Sequence, residues 1–254
     1  MNILSDINFF DFYYNGHYLS EFGGYVGSTD GGFKKYSLLP SRTYVTDKPL
    51  NYDGNIIFDS YLEPRSFKVP IVFETIDDAG IRTIAGWLNT KTDEKFFFAD
   101  DTLYINCVLD SNETDLDSIS GVDGECELTF LANDPYYYSM NTSNYTFQDV
   151  AGGTLLPMIN GGNAECYPKI KIMTSQSFVM SVYDINSKVI QQFSVTSPMS
   201  PVTIDSKYCT CFSGSYNLFN NTEGKFPVFP SGVFYISFNT DIKEVDVDFV
   251  PRFI

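Results

Sequence analysis

Three sets of residues in this chain could do chemistry: one histidine, five cysteines and a short run of alternating carboxylates. A serine or cysteine triad needs a histidine base held by a third group. His17 is the sole candidate for that base, and its place in Asn15-Gly16-His17-Tyr18 is that of an ordinary turn residue. Cys209-Thr210-Cys211 would put two thiols on one face of a strand, but a structural zinc asks for four ligands. Cys107, Cys126 and Cys166 stand alone in sequence, so a buried or half-buried strand pair is the preferred reading of Cys209 and Cys211. Glu244, Asp246 and Asp248 alternate with Val245, Val247 and Phe249, which places three carboxylates on one strand face. Hard cations such as calcium take oxygen ligands of this kind. A solvated strand face needs only the alternation, and is the reading preferred here.

The familiar catalytic signatures are missing. Gly23 to Ser28 (GGYVGS) has glycines at the wrong spacing for a phosphate cradle, and no nucleophile elbow or dinucleotide fingerprint occurs. Nothing among the 32 acids singles out a glycosidase pair. The expectation is therefore no catalytic, cofactor-binding or metal residues, no cofactor, and a protein that is not an enzyme.

The formal charge of −16 argues against nucleic acid as a bound ligand, because phosphate binding needs clustered Lys and Arg. An acidic wall repels DNA and would let it slide past. Twenty-three Phe and eighteen Tyr favour strands. The opening MNILSDINFF lacks a basic region and cleavage site for secretion, and no apolar run approaches the ~18 residues of a membrane helix. The odd, scattered cysteines suit free thiols in a reducing cytoplasm. Asn-x-Ser/Thr at Asn112, Asn141, Asn144 and Asn220 is then a chance match.

What must position these residues is mostly strand. Phe9 to Gly23 carries aromatic runs around Asn15-Gly16, a hairpin signature. Leu39 to Asn55 is Pro/Asp/Asn-rich with little periodicity and predicts an irregular segment. Phe67 to Glu74 predicts a strand. One helix is expected at TIDDAGIRTIAGWLN, with Ile81, Ile84, Ala85 and Leu88 as its apolar stripe, Trp87 at the edge, and Thr75, Asp77 and Asp78 at its start. A hairpin follows, KFFFA then TLYINCVLD around Asp100-Asp101, then a polar loop from Ser111 to Gly124 and the strand GECELTF. Pro135 ends that strand. Asn141 to Glu165 reads as a linker with one short strand. PKIKIMTS, SFVMSVYD, KVIQQFSV, PVTIDS, GVFYISF and KEVDVDFV predict a second, all-β domain with no helix.

Taken in order, these signals resemble the distal tail protein (Dit) family of long-tailed, non-contractile bacteriophages. The resemblance rests on FYYNGHYLSEFGGYV, AGIRTIAGWLN before FFFADDTLYINCVLD, ANDPYYYS, NGGNAECYPKIKI, TIDS, FPVFPSGVFYISF and VDFVPRFI, and so spans nearly the whole chain. It implies a mainly β protein. Residues 1–140 would form a ring-forming β-sandwich with one α-helix and a β-hairpin, and residues 141–254 a galectin-like or jelly-roll β-sandwich carried outside the ring.

The implied function is a structural hub, a hexameric ring at the distal end of the tail tube. Its partners would be other copies of itself, the major tail (tube) protein on one side, and tail-tip and receptor-binding or baseplate proteins on the other. DNA would pass through its channel without specific binding, and no membrane is involved. The location implied is the virion tail tip, after synthesis in the host bacterial cytoplasm. Galectin-type sugar binding uses a histidine, arginines and a tryptophan, and the second half offers only Arg252. Such a groove is therefore not expected. Alternatives are a free-standing carbohydrate-binding module for host surface glycans, a tail-tip hydrolase, and the same fold in a defective-phage or bacteriocin-like tail. The stretch Pro40 to Asn55 is the expected arm toward a neighbouring subunit.

Overall fold

The computed structural model describes residues 11–27, 39–50, 53–73, 75–110, 116–119 and 123–254. The opening ten residues, Ser28 and most of the Ser111–Gly124 segment therefore lie outside the described residues. The chain divides into two compact units, Met1–Tyr137 with the terminal Ile254, and Tyr138–Phe253. Strands dominate both.

In the first unit, β1 (Phe12–Tyr14) and β2 (His17–Tyr18) are joined by Asn15 and Gly16 at φ 42° and 87°, the left-handed pair that a tight hairpin turn requires. Then come β3 (Gly24–Val26), β4 (Arg42–Asp47), β5 (Ile56–Leu62), β6 (Arg65–Phe73), helix α1 (Asp78–Leu88), β7 (Glu94–Phe98), β8 (Leu103–Leu109), β9 (Leu116–Ile119) and β10 (Asp123–Ala132). The main sheet runs β2-β1-β7-β8-β10-β6-β3, with β9 on β10. It folds over between β8 and β10, so that its halves face each other across one core. Phe96 meets Phe130 at 4.9 Å and Phe67 at 5.0 Å, and Tyr14 meets Phe130 at 5.1 Å.

Three expectations need correction here. Leu39 to Asn55 is not irregular throughout, because Arg42–Asp47 forms a strand antiparallel to Ile56–Leu62 in a separate two-stranded sheet. Its mixed polar and apolar text obscured the period because neither face is buried. The Ser111–Gly124 loop contains β9, paired with β10. On α1 the buried side chains are Ile84, Trp87 and Leu88, whereas Ile81 and Ala85 are exposed. Trp87 is thus central to the packing face, and its bulk rotates the stripe away from Ile81. Asp77 is the cap, its carboxylate accepting the Gly80 N–H at 2.7 Å.

After β11 (Tyr137–Ser139), the second unit holds β12 (Ser143–Val150), β13 (Leu156–Asn160), β14 (Lys169–Met173), β15 (Phe178–Tyr183), β16 (Val189–Val195), β17 (Val202–Asp205), β18 (Thr210–Ser213), β19 (Tyr216–Asn217), β20 (Thr222–Gly224), β21 (Gly232–Phe238), β22 (Ile242–Phe249) and β23 (Arg252–Phe253). A six-stranded sheet, β12-β22-β14-β17-β18-β19, and a five-stranded sheet, β13-β21-β15-β16-β20, enclose one apolar cluster built from both. This is a β-sandwich. The expected linker is another correction: Asn141 to Glu165 supplies β12 to one sheet and β13 to the other. Alternate burial along Leu156, Met158 and Asn160 is what draws β13 in.

Candidate assembly site

Because Asn15-Gly16 turns the chain tightly, β1 and β2 lie against α1. Trp87 Nε1–H donates to the Tyr14 carbonyl and the Asn15 amide donates to the Trp87 carbonyl, both at 2.7 Å. Trp87 stacks on Phe22 at 4.6 Å. These residues, with His17, Glu21 and Thr83, line an open cleft of about 530 Å³. His17 Nδ1 pairs with Glu21 Oε2 at 2.8 Å, while Glu21 Oε1 accepts the Tyr18 N–H. That N–H, and then His17, hold the Glu21 carboxyl below its usual range. His17 is thus an exposed residue at the start of β2 with a carboxylate partner, and among the described residues no serine or cysteine lines the cleft.

Immediately before β6 in the chain, the β4–β5 hairpin is closed at its base by the Glu63 N–H to the Ser41 carbonyl, 2.8 Å, and by Arg42 to Ser60 Oγ, 2.9 Å. Among the described residues it pairs with no other strand. Tyr44, Val45, Ile57, Phe58 and Tyr61 are 47–66 % exposed. Successive residues point to opposite faces of a strand, so apolar side chains stand on both faces of the hairpin. The sequence reading marked Pro40 to Asn55, which includes β4, as an arm, but read no strand over Ile56–Leu62. A cluster of aromatic and β-branched residues in IIFDSYL was the available signal.

The remaining sequence candidates are dispersed. Glu244, Asp246 and Asp248 do share an outer face of β22, with Val245, Val247 and Phe249 buried beneath. Lys171 stands opposite Asp246 and Lys169 opposite Asp248, and Thr146 Oγ1 donates to Asp246 at 2.8 Å. Carboxylates set across from lysines on the neighbouring strand form a solvated strand face of mixed charge. Among the described residues no three His, Cys, Asp or Glu side chains are grouped to hold a metal ion. Cys209 and Cys211 do not share a face, which corrects the strand-pair reading. Cys209 is exposed in a turn at φ 51°, and only Cys211 is buried in β18. Burial pushes the Cys211 thiol up to about 11 and Cys166 to about 12, and Cys107 well above its ordinary value. Such thiols are protonated, poor nucleophiles.

The Asp134-Pro135-Tyr136-Tyr137-Tyr138 stretch serves both units. Asp134 Oδ1 accepts the Tyr136 N–H at 3.3 Å. Within the first unit the Arg65 guanidinium lies 4.9 Å from the Tyr137 ring. Within the second, Arg252 lies 5.8 Å and Lys207 5.9 Å from the Tyr138 ring.

Comparison with known proteins agrees with this architecture. Over 96 % of its length the chain superposes on 99 % of Dit, gp 19.1 of SPP1, a hub of the adsorption apparatus of phages that infect Gram-positive bacteria, with a TM-score of 0.70 at 17 % identity. A chain of the phage P2 baseplate gives 0.45 at 9 % identity over 84 % of this chain and 87 % of its own. YomH, an SPbeta prophage-derived protein of Bacillus subtilis (strain 168), is 26 % identical over 149 residues, 57 % of this chain and 58 % of YomH. The chain thus matches less than two thirds of that relative. Residues 7–134, half of the chain, match the family model described as the phage tail protein N-terminal domain, and the chain belongs to that family of phage tail proteins.

Proposed function

We propose that this protein is a hub at the distal end of a phage tail tube: a ring, hexameric, that joins the tube to the tail tip or baseplate and its receptor-binding proteins. Residues 1–140 form the ring and residues 141–254 face outward. The observation that carries this reading is the whole-chain likeness to Dit, which extends through both units rather than through one shared domain. The formal charge of −16 suits a channel through which DNA slides without being held. The partners are then the tube protein on one side and tip proteins on the other, in a virion assembled in the bacterial cytoplasm.

The test is localisation. Antibody against the full chain, applied to isolated tails and viewed by negative stain, is expected to label the distal end of the tube, and purified material is expected to contain six-fold rings. Label along the whole tube, or tails that lack the protein, would overturn the hub reading.

A further inference from the structure

We infer that the outer face of the five-stranded sheet is a stacking platform for an uncharged polysaccharide, centred on the ring of Tyr183. This goes beyond the hub reading and does not depend on it. β13, β21, β15 and β16 contain no Asp, Glu, Lys or Arg between them, in a chain whose residues are 19 % charged. The outer face of the other sheet is the opposite, with Asp246 and Asp248 set across from Lys171 and Lys169. A core demands apolar residues only at the inward positions of a strand. The neutrality of the outward positions therefore has a separate cause.

One row crosses all four strands: Pro157 stands opposite Tyr235, Tyr235 opposite Tyr183, and Tyr183 opposite Val189. Beside it Ser237 stands opposite Ser181, and both alternate with core residues, so both point outward. Serines on an open outer face should be wet, yet Ser181 is 7 % and Ser237 5 % exposed. The hydrogen bonds identify their cover. Ser237 Oγ donates to the Tyr183 hydroxyl at 3.2 Å, and Gln192 Nε2 donates to Ser181 Oγ at 3.1 Å. Ser237 is diagonal to Tyr183 across the ladder, and diagonal neighbours lie ~7–8 Å apart. The phenol spans that distance only by lying along the sheet, so one ring face covers serine and the other is turned to solvent.

A ring held flat on rigid strands suits a pyranose, whose axial C–H bonds, slightly positive, meet the negative face of the π-system. Val189, 43 % exposed, continues the apolar ground on one side of the ring, and Ile159 and Val233 continue it on the other. An open sheet face, unlike a closed cavity, admits a polymer along its length. A charged polymer finds no counter-charge on these strands, and a polyanion is repelled by the chain's net charge of −16. The chemistry that remains is a neutral, hydroxyl-bearing chain of sugar rings.

The experiment runs the full chain on native gels cast with a neutral polysaccharide (hydroxyethyl cellulose, laminarin, galactomannan or glycol chitin), with polygalacturonate as the anionic control. Retardation by at least one neutral polymer, and none by polygalacturonate, is expected. Tyr183→Ala should weaken that retardation roughly tenfold, about what one stacked ring contributes. Val189→Glu, at an exposed strand position, sets a carboxylate beside the ring. It should abolish retardation with the thermal unfolding of the chain unchanged, which separates loss of the platform from loss of the fold. Mobility indifferent to all four neutral polymers, or retardation that survives both substitutions, would overturn the inference. So would p-benzoylphenylalanine in place of Tyr183 that cross-links to another tail protein in assembled tails, since the face would then be a protein contact. Each of these outcomes leaves the hub reading intact, and the labelling of tails fails or succeeds independently of them.

Discussion

Asn160 provides a sharp test of how the second unit is held together. Its side chain is 1 % exposed at the end of β13. The amide donates to the Ala164 carbonyl at 2.9 Å and to the Pro230 carbonyl at 3.1 Å, and Oδ1 accepts the Gly162 N–H at 3.0 Å. One side chain thus satisfies three backbone groups of the Asn-Gly-Gly-Asn-Ala turn and the strand entry beyond Pro230. That turn presses on the C-terminal strand: Ala164 N–H bonds the Arg252 carbonyl at 3.1 Å, and a Cβ on Gly162 would sit on that carbonyl oxygen and 2.7 Å from the Arg252 nitrogen. In Asn160→Ala all three hydrogen bonds are lost. At about 1 kcal/mol net for each, rising where a group stays buried and dry, the cost is roughly 3–5 kcal/mol.

Urea unfolding reads this cleanly, because Trp87 is the only tryptophan and lies in the first unit. Its fluorescence is an internal standard, and far-ultraviolet dichroism reports both units. With a slope of ~1–2 kcal/mol per molar urea, the dichroism midpoint of the second unit is expected to fall by about 2 M while the fluorescence midpoint stays put. Asn160→Asp should be worse at neutral pH, since it turns a carboxylate oxygen toward two carbonyls, and should recover toward acid. A midpoint shift under ~0.5 M for Asn160→Ala, less than one net hydrogen bond, would refute the reasoning.

Three other outcomes are expected. Trp87→Phe keeps a ring on Phe22 but removes the indole donor to Tyr14, so the first unit should lose about 1–3 kcal/mol in denaturant titration. In the native protein a thiol reagent should modify Cys209 rapidly and leave Cys107, Cys166 and Cys211 protected. Burial raises the folded-state values of Cys166 and Cys211 from 9.0 to about 12 and 11, so their stabilisation is full below pH 9 and is lost as pH rises through those values. Cys166→Ala should flatten that alkaline limb. Glu21, lowered from 4.5, contributes above that pH and loses its contribution as pH falls through its folded value. Glu21→Gln should remove this acid dependence from the melting temperature.

What could be read in the sequence tracks how one-sided each element's environment is. β22 and β14 bury one face against a core, so their alternation is clean and Glu244, Asp246 and Asp248 stand where the pattern puts them. Asn15-Gly16 announces its turn by backbone chemistry alone. β4 and β5 bury neither face, and the period that marks a strand vanishes with the burial that creates it. α1 failed in detail because helical spacing admits two overlapping stripes, and the size of Trp87 chose between them. Cys209 and Cys211 are two apart, but the left-handed φ of Cys209 takes it out of the strand before the alternation begins. The cleft was not legible at all. It joins Asn15 to Trp87 across 72 positions, and only tertiary structure brings them together.

The edges of the second unit suggest that its association is restrained. β13 ends the five-stranded sheet, where unpaired backbone groups invite another strand. The Tyr145 hydroxyl meets that liability directly: it donates to the Ile159 carbonyl at 3.2 Å and accepts the Ile159 N–H at 3.1 Å. One phenol thus occupies both outward-facing backbone groups of the residue at mid-edge, where Ile159 is itself 56 % exposed. Tyr145→Phe keeps the ring stacked beside Phe147 and Phe249 and frees that donor and acceptor. Both groups reach water, so the stability loss should stay near 1 kcal/mol, whereas light scattering at raised concentration should show edge-to-edge association that the wild-type chain lacks. If Tyr145→Phe scatters like the wild type, the hydroxyl is no guard, and the exposed β4–β5 hairpin would lose its contrast with a deliberately closed edge.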